Sequence, residues 1–243
     1  MWIKMDFKDF KNEMLNQAQK IDIKIDEEQM KKFYKYMQLL LEWNEKINLT
    51  AIVEPNDIIL KHFIDSLTIC KNLENEKTLV DIGTGAGFPG IPVKILRPDL
   101  DITLIDSLNK RINFLTTVID TLELQKIVAL HGRIEDFGKN KKYREKFDYV
   151  TSRAVANLSV LSEYMIPLVK VGGKCICMKG TNIDEEIKNA GKAIKTLGGK
   201  IEKVDTFCLP DTDMGRNIIL IKKESITPSK YPRKAGIPTK EPI

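Results

Sequence analysis

The chain has 243 residues, 42% hydrophobic and 30% charged, with a formal net charge of +5; that is apolar enough to close a core and excludes a generally disordered chain. Four scattered cysteines (Cys70, Cys175, Cys177, Cys208) and two histidines (His62, His131) suit neither a disulfide framework nor a zinc centre, so no metal is expected. No stretch approaches the ~20 apolar residues that span a bilayer, and the opening MWIKMDFKDFKNEM lacks the apolar core of a signal peptide, so a cytoplasmic enzyme with no membrane partner is expected.

Residues 1–75 are expected to form a helical extension. From Glu27 onward Met30, Phe33, Tyr34, Met37, Leu40 and Leu41 recur at helical spacing, with Glu27, Lys31, Lys32 and Lys35 on the opposite side. Asp26 is the expected N-cap. Asn48-Leu49-Thr50 breaks the pattern, and a second helix is expected from about Asn56 to Cys70. It carries His62 and Asp65-Ser66, expected as a satisfied structural pair.

From Thr78 the apolar runs predict strands near 79–83, 101–106, 126–131, 147–152, 172–179, 200–208 and 216–222, with helices between the first six. Such alternation requires a mostly parallel sheet covered on both faces. Ser107 is the expected N-cap of the second crossover helix, and Asn182 with Glu185 would cap the helix after the fifth strand. Cys175 and Cys177, two apart on a strand, should pack on one face of the core. The polar loop LPDTDMG, 209–215, is too short for a helix, so the last two strands should pair antiparallel. The expected division is thus 1–75, an α/β unit over 76–224, and a basic tail over 225–243.

The first strand runs into TLVDIGTGAGFPG, Thr78 to Gly90. Glycines at 83, 85 and 87 can take φ > 0 and bring backbone against a ligand. Pro89 and Pro92 fit only the first turn of the helix that follows, where unpaired N–H groups and the positive helix end attract an anion. The second strand ends in Asp106, 25 residues past Asp81, about where a doubly wound sheet puts the carboxylate that accepts from ribose hydroxyls. Two patterns fit the loop. Gly85, Gly87 and Gly90 satisfy the dinucleotide fingerprint G-x-G-x-x-G, which would suit a nicotinamide-dependent oxidoreductase. Acid-x-G-x-G-x-G from Asp81 is that of S-adenosyl-L-methionine (SAM) methyltransferases. The C-terminal hairpin, and the lack of residues for a further half-sheet, favour the latter by fold analogy.

After the third strand, Ile134, Glu135 and Asp136 stand where ligands of open sheets bind, either flanking adenine or favouring a helix start. The fourth strand ends Thr151-Ser152-Arg153-Ala154, without the Asp/Asn-Pro-Pro-aromatic run common in enzymes that methylate exocyclic amines. Arg153 offers a cationic fork for a carboxylate or phosphate, or an interdomain salt bridge. Basic clusters (Lys139, Lys141, Lys142, Arg144, Lys146; Lys230, Arg233, Lys234, Lys240) are solvated surface or nucleic-acid contacts. Methyl transfer to an aromatic ring nitrogen removes no proton and needs positioning more than a base, so no catalytic residue is assigned.

DIGTGAGFPGIP, IDSLNKRINFL, HGRIEDF, TSRA and YPRKAGIPTKEP, with WNEKINLTAI and HFIDSL in the lead-in, resemble the bacterial ribosomal RNA small subunit methyltransferase G family, also called glucose-inhibited division protein B. The likeness covers nearly the whole chain. It implies a Rossmann-like seven-stranded SAM-dependent enzyme acting on N7 of one guanine in 16S rRNA of the small ribosomal subunit, near the decoding centre; a monomer is expected. By motif position it makes Gly83, Phe88, Ile134, Glu135 and Arg153 cofactor contacts, beside Asp81, Gly85, Gly87 and Asp106, and makes the tail and basic loop candidate RNA contacts. Thr84, and Ile134 where alanine is commoner, are departures the pattern tolerates. A non-catalytic SAM- or RNA-binding regulator is the alternative from another class.

Overall fold

The computed structural model describes residues 5–153 and 155–243; the first four residues of the expected helical extension and Ala154 of the TSRA motif lie outside them. Helix α1 (Phe7–Gln19) is capped by Asp6, whose carboxylate accepts from the Asp9 N–H. Helix α2 (Glu27–Ile47) starts, as expected, at Asp26. Its carboxylate accepts from the Gln29 N–H while the Gln29 side chain accepts from the Asp26 N–H, a reciprocal cap. The helix stops at Asn48, which takes the left-handed conformation (φ 48°).

The second expected helix is present but not regular. A turn of α3 (Pro55–Asp57) opens into a π-helical stretch, Ile58–Ile64, closes again as α4 (Asp65–Leu67), and is followed by a 3₁₀ turn, Cys70–Asn72. The wide turns let Ile58, Ile59, His62, Phe63 and Ile64 all point inward, more than one stripe of an α-helix would bury.

Strands β1 (Thr78–Ile82), β2 (Asp101–Asp106), β3 (Ile127–His131), β4 (Phe147–Arg153), β5 (Val169–Lys179), β6 (Gly199–Cys208) and β7 (Gly215–Lys223) form one sheet in the order β3-β2-β1-β4-β5-β7-β6. The first five are parallel, and β7 runs antiparallel between β5 and β6, the hairpin that the short 209–215 loop demanded. Crossovers are α5 (Gly90–Leu96), α6 (Asn109–Thr121), α7 (Ile134–Lys139), α8 (Leu158–Met165) and α9 (Asp184–Thr196), and a short α10 (Ile237–Lys240) closes the chain. β5 begins three residues before the expected 172, because a register shift against β4 and Gly172 at φ 87° carry the pairing back to Val169.

Two cap assignments are corrected. Ser107 does not cap α6, which starts at Asn109; the Leu108 N–H is instead taken by the Asp106 carboxylate. Asn182 does not cap α9: its φ of 61° is left-handed, not extended, and the cap position is Ile183 without a side-chain bond.

Alternate residues along the strands feed two apolar layers. Leu79, Ile102, Leu104 and Ile176 meet α1, α2, the π-helical stretch, α5 and α6, whereas Val80, Ile105, Val150, Cys175 and Cys177 meet α8 and α9. The cysteine pair therefore packs as expected. The helical lead-in is continuous with the first layer: Tyr36 lies against Phe63, Phe88 and Phe114.

Candidate functional site

The site is built at the C-terminal edge of the parallel strands, where β1 and β2 end side by side. Between β1 and α5 the chain turns through Gly83, Gly85 and Gly87, at φ 64°, 62° and 98°. A side chain is excluded twice over at two of them. A Cβ on Gly83 would come within 2.6 Å of Val155, and one on Gly87 within 2.6 Å of Ile91 and 2.8 Å of the Tyr36 hydroxyl. At Gly85 the added atom would meet nothing within 4 Å, so there the backbone faces open space.

Two carboxylates shape this turn. Asp81, fully buried, accepts at Oδ2 from the Thr84 hydroxyl (2.6 Å) and from the Gly90 N–H (2.9 Å) at the start of α5. Burial pushes its carboxyl up to about 7 against those two bonds. Its Oδ1 has no hydrogen-bond partner among the described residues. Asp106 accepts from the Gly85 N–H (2.9 Å) and Arg111 Nη1 (3.2 Å) at Oδ2, and from the Leu108 N–H (2.9 Å) at Oδ1.

Gly83, Asp106, Leu108 and Arg111 border a cleft of about 660 Å³, which Gly132, Arg133, Ile134, Glu135 and Tyr164 also line. Of the expected cofactor residues, Gly83, Asp106, Ile134 and Glu135 line it. Gly85 is not in its wall, and Asp81 and Gly87 lie behind the loop. Phe88 faces inward, its ring stacked on His62 (centroids 4.3 Å apart) and against Tyr36. Arg111 and Tyr164 escaped the sequence reading. Arg111 had a usable signal, a cation five residues past the strand-end acid on the first turn of a helix; Tyr164 had none.

Arg153 stands apart from this cleft. Its Nη1 donates to the Lys61 carbonyl (2.9 Å) and Asp65 Oδ2 (3.1 Å), and its Nη2 to His62 Nδ1 (3.0 Å), so it joins β4 to the helical lead-in. Asp65 also receives Arg216 Nε at 3.0 Å. His62 and Asp65 are thus both satisfied, not by each other but through Arg153. An Nδ1 that accepts from a guanidinium leaves the proton on Nε2, which meets Thr50 Oγ1 at 2.8 Å. Burial, and then the Arg153 charge, hold the His62 pKa down to about 3, so the ring is neutral. Around this group lies a second cavity of about 370 Å³, reaching Lys179, Gly180 and Asn217 at the ends of β5 and β7.

The first cleft suits a SAM-type nucleoside. A carboxylate at the exit of β2 offers acceptors for a diol, and Gly83 brings bare backbone into the wall beside it. Among the described residues no cluster of side chains could hold a metal ion, and no helix is long and apolar enough to cross a membrane.

The family model for rRNA small subunit methyltransferase G matches residues 29–214. A ribosomal RNA small subunit methyltransferase G of Desulforamulus reducens is 56% identical over 228 residues, 93% of this chain and 95% of its own length. One of Clostridium botulinum (strain Loch Maree) is 51% identical over 237 residues, 97% of this chain and 99% of its own. Among solved structures, a 16S rRNA (adenine(1408)-N(1))-methyltransferase variant from Catenulisporales acidiphilia, determined with its cosubstrate SAM, superposes with a TM-score of 0.51 at 18% identity, over 63% of this chain and 87% of that one. The YcgJ protein of Bacillus subtilis does so at 0.51 and 12%, over 68% and 100%; at such identities the likeness concerns the fold. Near full-length identity of half or more decides between the two glycine patterns: the chain belongs to the ribosomal RNA small subunit methyltransferase G family of SAM-dependent methyltransferases.

Proposed function

We propose that this enzyme, acting as a cytoplasmic monomer, methylates N7 of one guanine in 16S rRNA, within the small ribosomal subunit or a precursor of it. The observation that carries the cofactor side of this reading is Asp106, a buried carboxylate that borders the cleft while gripping the glycine turn. Bound there, SAM supplies an electrophilic methyl group on a sulfonium. Asp106 and Glu135 would hold the nucleoside, the bare backbone of the glycine turn would approach its amino-acid end, and Asp81, Phe88 and Arg153 would support that turn from behind.

Guanine N7 carries a free lone pair and no proton, so the protein's work is to orient the ring and exclude water rather than to remove a proton. We assign the second cavity, with Arg153, Arg216 and neutral His62 in its wall, to the incoming base. Donors such as the Arg216 guanidinium suit the O6 edge of guanine, which flanks N7. The functional partition remains the helical extension 1–75, the SAM-binding unit 76–224 and the basic tail 225–243.

The test is transfer of tritium from labelled SAM to small subunits from a strain lacking this enzyme, followed by borohydride and aniline cleavage and primer extension. One new stop at a single guanine is expected. Binding of NAD(H) but not SAM would favour an oxidoreductase, and tight SAM binding with no transfer to any ribosomal substrate would favour a regulator.

A further inference from the structure

The basic tail is bonded into the molecule. Arg144 donates to the carbonyls of Thr227 (2.7 Å) and Tyr231 (2.6 Å), Thr227 N–H donates to Glu145 (2.9 Å), and Tyr231 and Pro232 are buried. Pro232 presses on α7 so closely that a Cβ on Gly138 would meet it at 2.7 Å. Arg233 then grips Glu163 of α8 through Nε (3.0 Å) and Nη2 (2.7 Å), on a carboxylate only 1% exposed.

Past this latch the chain turns at Gly236 (φ 83°) into α10. Here it reaches two side chains in the wall of the nucleoside cleft. The Gly236 N–H donates to Glu135 Oε1 at 3.3 Å, and the Thr239 and Tyr164 hydroxyls lie 3.2 Å apart. Glu135 and Tyr164 are both nearly buried and both line the cleft, and no other hydrogen bond to either side chain occurs among the described residues. A carboxylate this buried is costly to leave unpaired.

We propose that the C-terminal segment is a working part of the cofactor cleft, with Gly236 and Thr239 as positioning residues that fix the Glu135 carboxylate and the Tyr164 hydroxyl where SAM binds. The proposal rests on the cofactor reading of this cleft. It gives the tail a task independent of RNA: the latch at Arg233 sets the segment's path, and the last turn transmits that path to the wall.

The test compares the full chain with one ending at Lys234, which keeps Tyr231, Pro232 and the Arg233–Glu163 pair but lacks Gly236 and Thr239. Calorimetric titration with S-adenosylhomocysteine, without RNA, should show a dissociation constant raised roughly tenfold, and KM for SAM should rise while kcat at saturating SAM holds. An unchanged dissociation constant overturns the proposal, including the case in which the shortened chain loses affinity only for 16S rRNA. Should the shortened chain fail to fold, hydrogen exchange on the full chain decides: protection of amides 235–240 by S-adenosylhomocysteine supports the proposal, and unchanged exchange there overturns it. A full chain that binds no S-adenosylhomocysteine at all would instead remove the cofactor reading.

Discussion

The Gly85 N–H donates to Asp106 Oδ2 at 2.9 Å, tying the turn after β1 to the last residue of β2. Arg111 shares that oxygen and the Leu108 N–H takes the other. One carboxylate therefore both shapes the loop and borders the cleft, so removing it should disturb two things at once.

Asp106→Ala should weaken S-adenosylhomocysteine binding by about 1–3 kcal/mol through lost charge-assisted bonds and also lower the melting temperature of the ligand-free chain. Calorimetry and thermal scanning measure the two separately; full affinity in the variant would sink the assignment of Asp106 to the ribose.

Asp81 makes the pH response of folding unusual. Its carboxyl sits at about 7 in the folded chain against an ordinary 3.8, so across that window the folded form holds a proton that the unfolded form has released. Stability then falls as pH rises from about 4 to about 7 and levels off above. Asp81→Asn lacks this slope, and its melting temperature relative to the parent should climb between pH 4 and pH 8. His62 acts oppositely, losing stability as pH falls from 6.5 toward 3, but it is common to both chains and cancels. A difference that stays flat with pH would refute the assignment.

Tyr36 is fully buried, and its hydroxyl donates to the Ala86 carbonyl inside the glycine turn. Tyr36→Phe leaves that carbonyl without its donor and should cost about 1–3 kcal/mol of folding stability, with a parallel loss of SAM affinity. Denaturant titration with and without SAM checks both; equal stability would show that a water replaces the hydroxyl.

The two basic clusters should behave differently within themselves. Lys139, Lys141, Lys142 and Lys146 are exposed, whereas Arg144 and Arg233 are spent on internal carbonyls and on Glu163. Changing Lys139, Lys141 and Lys142 to Gln should lower the slope of log affinity for 16S rRNA against log salt by about 2 without shifting the melting temperature. Arg144→Gln should mainly lower the melting temperature. The reverse pattern would exclude the loop from RNA contact.

The first two strands were legible because each is an apolar run closed by a glycine or a carboxylate, and the hairpin because the seven residues 209–215, with Pro210 and Gly215, cannot hold a crossover helix. The turn and Asp106 were legible because their spacing is local. What escaped depends on partners far apart in the chain. Arg153 as a free fork became Arg153 bound to Lys61, His62 and Asp65, about ninety positions away, and Arg233 as a tail cation became the partner of buried Glu163. Ser107 failed as a cap because the helix starts one residue later than its pattern implied, with Leu108 at the cap position. The π-helical stretch has no local mark, since its wide turns follow from what the interior must accommodate.

Phe88, stacked on His62 and touching Tyr36, has a further consequence for anyone dissecting the chain. A fragment begun at Thr78 would carry every strand yet present Phe88, Ile91 and Phe114 to water, an oily flank suited to self-association. Supplying the missing helices as a separate polypeptide should rescue both solubility and nucleoside capture.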